Sequence, residues 1–384
     1  KKERNMQYRP FKDLELSQLG FGAMRFPIQY DNEKLIDEKE AGQCLQAAID
    51  ASVNYFDTAW PYHKQASEPF LGKFLAETKQ RDNVQLATKL PCWQCHDPAD
   101  ADNYLEEQLR RLQTDHIDFY LLHALDGYRF KKLLELGIID FMDRAKASGK
   151  VRYLGFSFHD LSAEFEPILD AYPFDFVQIQ LNYMDESFQA GLAGLKAAHE
   201  RGMGVMIMEP LRGGQLAAKP EGDLADLWQG FDTALTPPEL GFKYLYNMPE
   251  ITCVLSGMSN LSQVRENIAT AEKYTPGCLT EDEKEMIERL RSFYRGRMKA
   301  DCTGCRYCNG CPQIIPIPSI FKYYNEAFMY GDVAASRKKY RTNVKNKLKA
   351  DHCTDCGQCE EHCPQSLEIR ALLREAHAFL MGED

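Results

Sequence analysis

The sequence predicts an α/β fold: a closed (β/α)8 barrel of the TIM type, followed by a small helix-rich domain. Between Leu16 and Tyr274 eight short apolar runs alternate with amphipathic stretches of helical period. Strands alternating with helices imply a parallel sheet, and eight such units in about 250 residues match a closed barrel. Behind that region, eight of the chain's 13 cysteines crowd into two short runs, which no barrel requires. An open doubly wound sheet is the alternative, but no G-x-G-x-x-G follows the first strand.

In order, the predicted strands are LSQLGFGAM (16–24), NYFDTA (54–59), VQLATKL (84–90), IDFYLLHAL (117–125), VRYLGFSF (151–158), FDFVQIQL (174–181), GVMIMEP (204–210) and ITCVLSGM (251–258). Helical patterns lie between them, as in 41–52, 103–113 and 261–274. The expected limits are 1–278 for the barrel, 279–300 for a helical connector and 301–384 for the cysteine-bearing domain. The connector opens with Thr280 and Glu283, spaced as a capping box. Beyond it, helices are expected over 319–332, 333–341 and 366–380.

Composition narrows the function classes. The chain has 384 residues, 44% hydrophobic and 27% charged, as in ordinary globular proteins. A net charge of −11 without a basic stripe argues against nucleic acid. The basic run 337-RKKYRTNVKNKLK-349 reads first as a solvated helix face, with docking of an acidic partner as the sharper alternative. No apolar run approaches a membrane span. The N-terminal KKERNMQYRP lacks the apolar core of a secretory signal. Clustered cysteines in odd number make a poor disulfide framework and a good ligand set, so a reducing, cytoplasmic setting is expected.

The first cysteine run, Cys302, Cys305, Cys308 and Cys311 before Pro312, has a strict spacing of three. The second, Cys353, Cys356, Cys359 and Cys363 before Pro364, has the C-x2-C-x2-C-x3-C-P spacing of bacterial ferredoxins. Zinc is the alternative, though zinc pairs usually lie a dozen or more residues apart. In two-cluster ferredoxins the fourth cysteine of each run serves the other cluster. Carried over, this assigns Cys302, Cys305, Cys308 and Cys363 to one [4Fe–4S] cluster, and Cys353, Cys356, Cys359 and Cys311 to the other. The long helical spacer makes the region resemble the α-helical dicluster ferredoxins.

At the strand ends, where barrels keep their chemistry, stand Asp57, Tyr62, Lys89 and His123. A Lys beside a Tyr favours phenolate and lowers the phenol's pKa. An Asp holds the Lys charged, and a neutral His can hydrogen-bond the same substrate oxygen. The D-x4-Y spacing of Asp57 and Tyr62, the T-K-L around Lys89 and the L-L-H ending at His123 resemble the tetrad of the aldo/keto reductases. The resemblance runs from about Leu16 to Tyr274, and the tail is similar to the branch carrying a C-terminal iron–sulfur domain.

That resemblance implies reduction of an aldehyde or ketone by NADP(H), with NAD as the alternative, or the reverse oxidation of an alcohol. Tyr62 would be the general acid. Ser157 and Gln178 would bond the nicotinamide carboxamide; the residue after Ser157 is Phe158, where the family usually has Asn. Met208 would take the place of the stacking aromatic. Gly22, Pro210, Leu211 and Arg212 would line the cofactor. Gly257, Ser259, Gln263, Glu266 and Asn267 fit the diphosphate and adenosine segment, with Arg212 or Arg265 as the cation for a 2′-phosphate. His63 and His159 read as pocket-lining residues. Cys92 and Cys95 read as loop thiols, with a redox pair or metal clip as the alternative. Cys44, Cys253 and Cys278 read as buried packing residues.

Hydride chemistry moves two electrons and each cluster one, so direct exchange would need a splitter such as a flavin. No flavin motif is present, although 255-LSGMS-259 is a late-strand phosphate site of the kind FMN uses. Three readings follow: a reductase with structural clusters, an electron-transfer oxidoreductase serving a redox protein partner, and a sensor on a retired scaffold. The intact tetrad speaks against the last. The pocket loops 124–131 and 217–232 carry no code for the substrate.

Overall fold

The computed structural model of the chain describes residues 5–231 and 233–382. Lys1–Arg4 of the basic N-terminal stretch and Asp232, at the end of the second pocket loop, lie outside these.

Ten strands are described. The first two, β1 (Tyr8–Phe11) and β2 (Leu14–Ser17), form an antiparallel hairpin. The other eight are β3 (Leu19–Gly22), β4 (Tyr55–Asp57), β5 (Gln85–Leu90), β6 (Ile117–Leu125), β7 (Val151–Phe158), β8 (Phe176–Gln180), β9 (Gly204–Met208) and β10 (Cys253–Ser256). They pair in parallel in sequence order, and β10 closes on β3. All eight predicted runs thus supply a barrel strand. The first run divides, because Leu14–Ser17 leaves the barrel for the hairpin. Gln18 marks the break: its amide is buried and donates to the carbonyls of Ala271 at 2.6 Å and Tyr274 at 2.8 Å.

The hairpin was not anticipated. Its apolar residues Phe11 and Leu16 belong to one core with Tyr55, Phe119, Tyr153, Phe176 and Leu255 from the barrel strands. The Phe11 ring lies 4.9 Å from Tyr153 and 5.1 Å from Phe119, at separations aromatic pairs favour.

Capped helices return the chain between strands. Asp37 accepts from the Glu40 amide ahead of the helix Glu38–Asp50, and Asn260 accepts from the Gln263 amide ahead of Leu261–Lys273. The helix Ser67–Thr78 approaches Asp100–Leu112 so closely that a Cβ on Gly72 would lie 2.5 Å from the Arg111 carbonyl oxygen and the Leu112 backbone.

Contacts divide the chain into two compact units, residues 1–220 with 232–280, and residues 221–231 with 281–384. The expected connector therefore groups with the cysteine-bearing region, as does the short stretch 221–231. In that second unit the longer helices are Glu281–Arg295, Ile317–Met329, Val333–Asn343 and Ile369–Met381, close to the expected ranges. Ile317, Ile320, Phe321, Tyr340, Leu373 and Leu380 belong to its core together with Cys359, and Cys302, Cys308, Cys311, Cys353 and Cys363 pack against it. The basic run is more than a solvated face. Arg337 and Arg341 donate to the carbonyls of Phe379 and Met381, Lys339 pairs with Glu326 at 2.8 Å, and Tyr340 is fully buried.

Gly72→Ala is expected to destabilise the barrel by about 1–3 kcal/mol, because the methyl meets backbone on a packed helix rather than a side chain that can turn away. Thermal unfolding followed by far-UV circular dichroism measures this; an unchanged midpoint would refute the packing argument.

Candidate active site and cysteine cavities

Seven of the eight barrel strands line one cleft at their C-terminal ends, and β5 places Lys89 beneath it. Its volume is ≈ 630 Å³, within the range of small-molecule sites. Gly22 and Asp57 end β3 and β4, and pair directly across the sheet. Next come Lys89 on β5, His123 on β6, Ser157 on β7, Gln178 on β8 and Met208 on β9. Ser256, the last residue of β10, leads into Gly257.

The four tetrad residues come together. The Lys89 ammonium is wholly buried and donates to Asp57 Oδ1 at 2.6 Å, to the Thr58 carbonyl at 2.8 Å and to Tyr62 Oη at 3.3 Å. The Tyr62 and His123 rings stand edge to face, 6.1 Å apart, and the Trp93 ring lies 5.1 Å from His123. A register shift in the β6–β7 pairing falls between Leu122 and Leu125, and Ala124 has φ 53. Irregular pairing of this kind re-aims side chains, here at His123, while the Ala124 amide donates to Ser157 Oγ at 2.7 Å.

Burial dominates the electrostatics. It would discharge Lys89, yet Asp57 and Tyr62 together carry the ammonium above its ordinary pKa. Burial raises Asp57 against the opposing pull of Lys89. It also raises Tyr62 above its ordinary value of 10.0, and Lys89 only partly offsets this. That corrects the expectation of a lowered phenol: desolvation of the phenolate outweighs the nearby cation. His123 is held well below its ordinary value by burial, then by the charge of Lys89, so it is neutral.

Eleven of the twelve predicted cofactor residues line the cleft: Gly22, Ser157, Gln178, Met208, Pro210, Leu211, Gly257, Ser259, Gln263, Glu266 and Asn267. The twelfth, Arg212, does not; it pairs with Asp185 at 3.0 Å. Arg265 is exposed and also off the lining. The cation at the cleft is instead Arg25, which sequence reasoning missed. Its side chain lies against Gly257, where a Cβ would meet it at 3.0 Å, and close to Gly213. The only signal for it was its place just after the first strand. His159 lines the cleft as expected, whereas His63 does not. Phe158 packs on Phe165 at 4.9 Å and is fully buried.

The lining fits a nicotinamide nucleotide. Gln178 Oε1 is buried with no partner, while its amide nitrogen donates to Met208 Sδ at 3.6 Å. An orphaned buried acceptor is costly, and a carboxamide N–H would satisfy it. Ser157 Oγ accepts from Ala124, which leaves its hydroxyl to donate. The N-terminus of the helix Leu261–Lys273, beside Arg25, suits phosphate.

The eight clustered cysteines line two cavities in the second unit. One is lined by Cys302, Cys305, Cys308 and Cys363; the other by Cys311, Cys353, Cys356 and Cys359. The fourth cysteine of each run thus stands with the first three of the other run. Among the described residues no three His, Cys, Asp or Glu side chains converge on a single-ion site. The sulfurs surround volumes rather than points.

Cys92 and Cys95 are buried, and burial pushes the Cys95 thiol up to about 12 and Cys92 higher still. Thiols held in that state are poor nucleophiles. Cys44 and Cys253 are buried as expected, but Cys278 is only half-buried.

The aldo/keto reductase family model matches residues 18–227, and a 4Fe-4S dicluster domain model matches residues 301–367. The chain belongs to the aldo/keto reductase family and carries a 4Fe-4S dicluster domain at its C-terminal end. It is 28% identical to the uncharacterized oxidoreductase YrpG of Bacillus subtilis (strain 168), across 74% of this chain and 94% of that one. It is also 28% identical to an L-galactose dehydrogenase of Arabidopsis thaliana, across 67% of this chain and 84% of that one. Among solved structures, the holo form of aldo-keto reductase AKR11C1 from Bacillus halodurans superposes with a TM-score of 0.62 at 26% identity, covering 74% and 96% of the two chains. An aldo/keto reductase from Klebsiella pneumoniae in complex with NADP and acetate shares the fold, with a TM-score of 0.59 at 22% identity over 74% and 95%.

Lys89→Met is expected to leave the Asp57 carboxylate buried without a cation, at a cost of about 3–5 kcal/mol. Adding Asp57→Asn should recover much of that loss. Denaturant unfolding of the two single variants and the double variant measures the coupling, and strictly additive losses would count against a tight buried pair.

Proposed function

We propose that the chain is an NAD(P)H-dependent carbonyl reductase, acting on small aldehydes or ketones and, in reverse, on alcohols. The observation that carries this is the buried Lys89 ammonium, bonded to Asp57 and Tyr62, which both line the cleft. The cofactor would lie against Ser157, Gln178 and Met208, with its phosphates toward Arg25, Gly257 and the helix N-terminus at Asn260; when bound it supplies hydride.

The chain's own residues handle the proton and the charge. Tyr62 Oη donates its proton to the substrate carbonyl oxygen. Lys89 stabilises the phenolate left behind, and Asp57 keeps Lys89 charged in the absence of water. The neutral His123 imidazole hydrogen-bonds the carbonyl oxygen and orients it. Because burial holds Tyr62 above its ordinary range, the acid stays protonated through neutral pH. Alcohol oxidation needs the deprotonated form, so the two directions separate with pH.

In the second unit, Cys302, Cys305, Cys308 and Cys363 would hold one [4Fe–4S] cluster, and Cys353, Cys356, Cys359 and Cys311 the other, each supplying a one-electron site. The match to a dicluster domain supports a second reading, in which these sites exchange electrons with a redox protein partner. Anaerobic addition of NADPH followed by EPR separates the two: a reduced-cluster signal favours electron transfer, and silence favours structural clusters.

Tyr62→Phe is expected to lower carbonyl reduction at least about 100-fold with iron content unchanged. In the unaltered chain, reduction should hold level from about pH 6 to about pH 9 while alcohol oxidation rises, since the Tyr62 pKa lies above the unperturbed value of about 10. Residual reduction within tenfold of the unaltered enzyme removes Tyr62 from the mechanism.

Protein purified anaerobically should contain about eight irons per chain, the content of two cubanes. Cys363→Ala should disturb the cluster of the first run rather than that of its own. Stoichiometric zinc, or about four irons, would overturn the dicluster assignment.

A further inference from the structure

We propose that His63 is a positioning residue that latches the Tyr62 segment to the loop after β3. The inference rests on the reading of Tyr62 as the acid. Tyr62 is followed by three residues in left-handed backbone, none of them glycine: His63 at φ 50, Lys64 at φ 49 and Gln65 at φ 73. Side chains with a Cβ disfavour this region, and three in succession persist only where the surroundings impose them.

The imposing contacts are specific. His63 Nδ1 lies 2.8 Å from the Glu33 carbonyl oxygen, which only accepts, so Nδ1 carries the proton and donates. The Phe26 amide then donates to His63 Nε2 at 3.1 Å. One tautomer of a neutral imidazole satisfies both bonds. The ring is buried and lies 5.7 Å from the Phe26 ring. Four residues further on, Ser67 Oγ donates to the Ala23 carbonyl at 3.0 Å and sits 2.9 Å from Thr58 Oγ1, which must donate to it.

The segment bearing Tyr62 is therefore pinned to residues 23–26 after the acid, at His63 and Ser67, and before it, where the Ala23 amide donates to the Asp57 carbonyl at 2.8 Å. Lys64 and Gln65 are both exposed, so the latch falls to His63. Without it the strained turn can relax, and relaxation moves Tyr62 Oη relative to Lys89 Nζ. Misplacement by about 1 Å is enough to lower a catalysed rate about 100-fold. Placed next to the acid, His63 does this without lining the cleft.

The test compares His63→Ala, His63→Gln and Tyr62→Phe in the full chain. His63→Ala should lower kcat for carbonyl reduction by about 10- to 100-fold, with the KM for the carbonyl substrate changed less than threefold. His63→Gln, whose amide can both donate and accept, should recover part of that loss. Hydrogen exchange should show the Phe26 amide deprotected in His63→Ala, independently of activity. In a Tyr62→Phe background, His63→Ala should have no further effect on rate. An unchanged kcat in His63→Ala, alongside an inactive Tyr62→Phe, overturns the latch and leaves the acid assignment standing. Activity retained in Tyr62→Phe overturns the acid assignment itself. A loss in His63→Ala that persists at equal size in the Tyr62→Phe background assigns His63 to general stability and also overturns the proposal.

Discussion

The charged Lys89 side chain, wholly buried at the mouth of the barrel, is the constraint on which the rest of the site depends. An isolated ammonium there would lose its proton, because desolvation penalises the charged form. Asp57 prevents this at 2.6 Å. The two residues meet because β4 and β5 are parallel neighbours in register, with Asp57 opposite Ala87, two residues before Lys89. The charge in turn acts outward: it pulls against the burial that raises Tyr62 and helps keep His123 neutral. The protonated Tyr62 phenol and the neutral His123 imidazole thus stand side by side next to one buried ion pair.

Around that pair the backbone is strained where the chain leaves the strands. His63, Lys64 and Gln65 after β4, Ala124 at the end of β6, and Glu209 and Arg212 after β9 all have positive φ without being glycine. Such residues cost free energy and survive where a rigid frame over-determines them. The closed barrel is that frame: its eight parallel strands leave no open edge, and the Phe11–Leu16 hairpin packs its apolar residues with those of the strands.

The second unit follows a different physical logic. Its apolar core is small, and cysteines of both runs pack against it. They form two separate cavities, each combining three cysteines of one run with one of the other. The exchange ties Cys311 to the Cys353 run and Cys363 to the Cys302 run. Each cavity therefore joins chain segments some fifty residues apart.

What could be read from the residues in order was whatever depends on local pattern. Eight apolar runs at strand length, separated by helical periods, specify a parallel barrel almost by count. Cysteine spacing, carried over from two-cluster ferredoxins, anticipates how the eight cysteines group around two cavities, and the positions of Asp57, Tyr62, Lys89 and His123 relative to the strand ends anticipate their convergence. Properties that depend on depth or on distant neighbours had to wait for the folded chain. Lys89 lowers a phenol in principle, yet burial decides the sign at Tyr62. Arg212 looked like the phosphate cation, but it pairs with Asp185, while Arg25, after β3, lines the cleft close to Gly213. His63 looked like pocket lining, but its ring is occupied by the Phe26 amide and the Glu33 carbonyl. Periodicity and spacing are carried by a few consecutive residues, whereas desolvation, ion pairing and strain belong to groups that only closure of the barrel brings together.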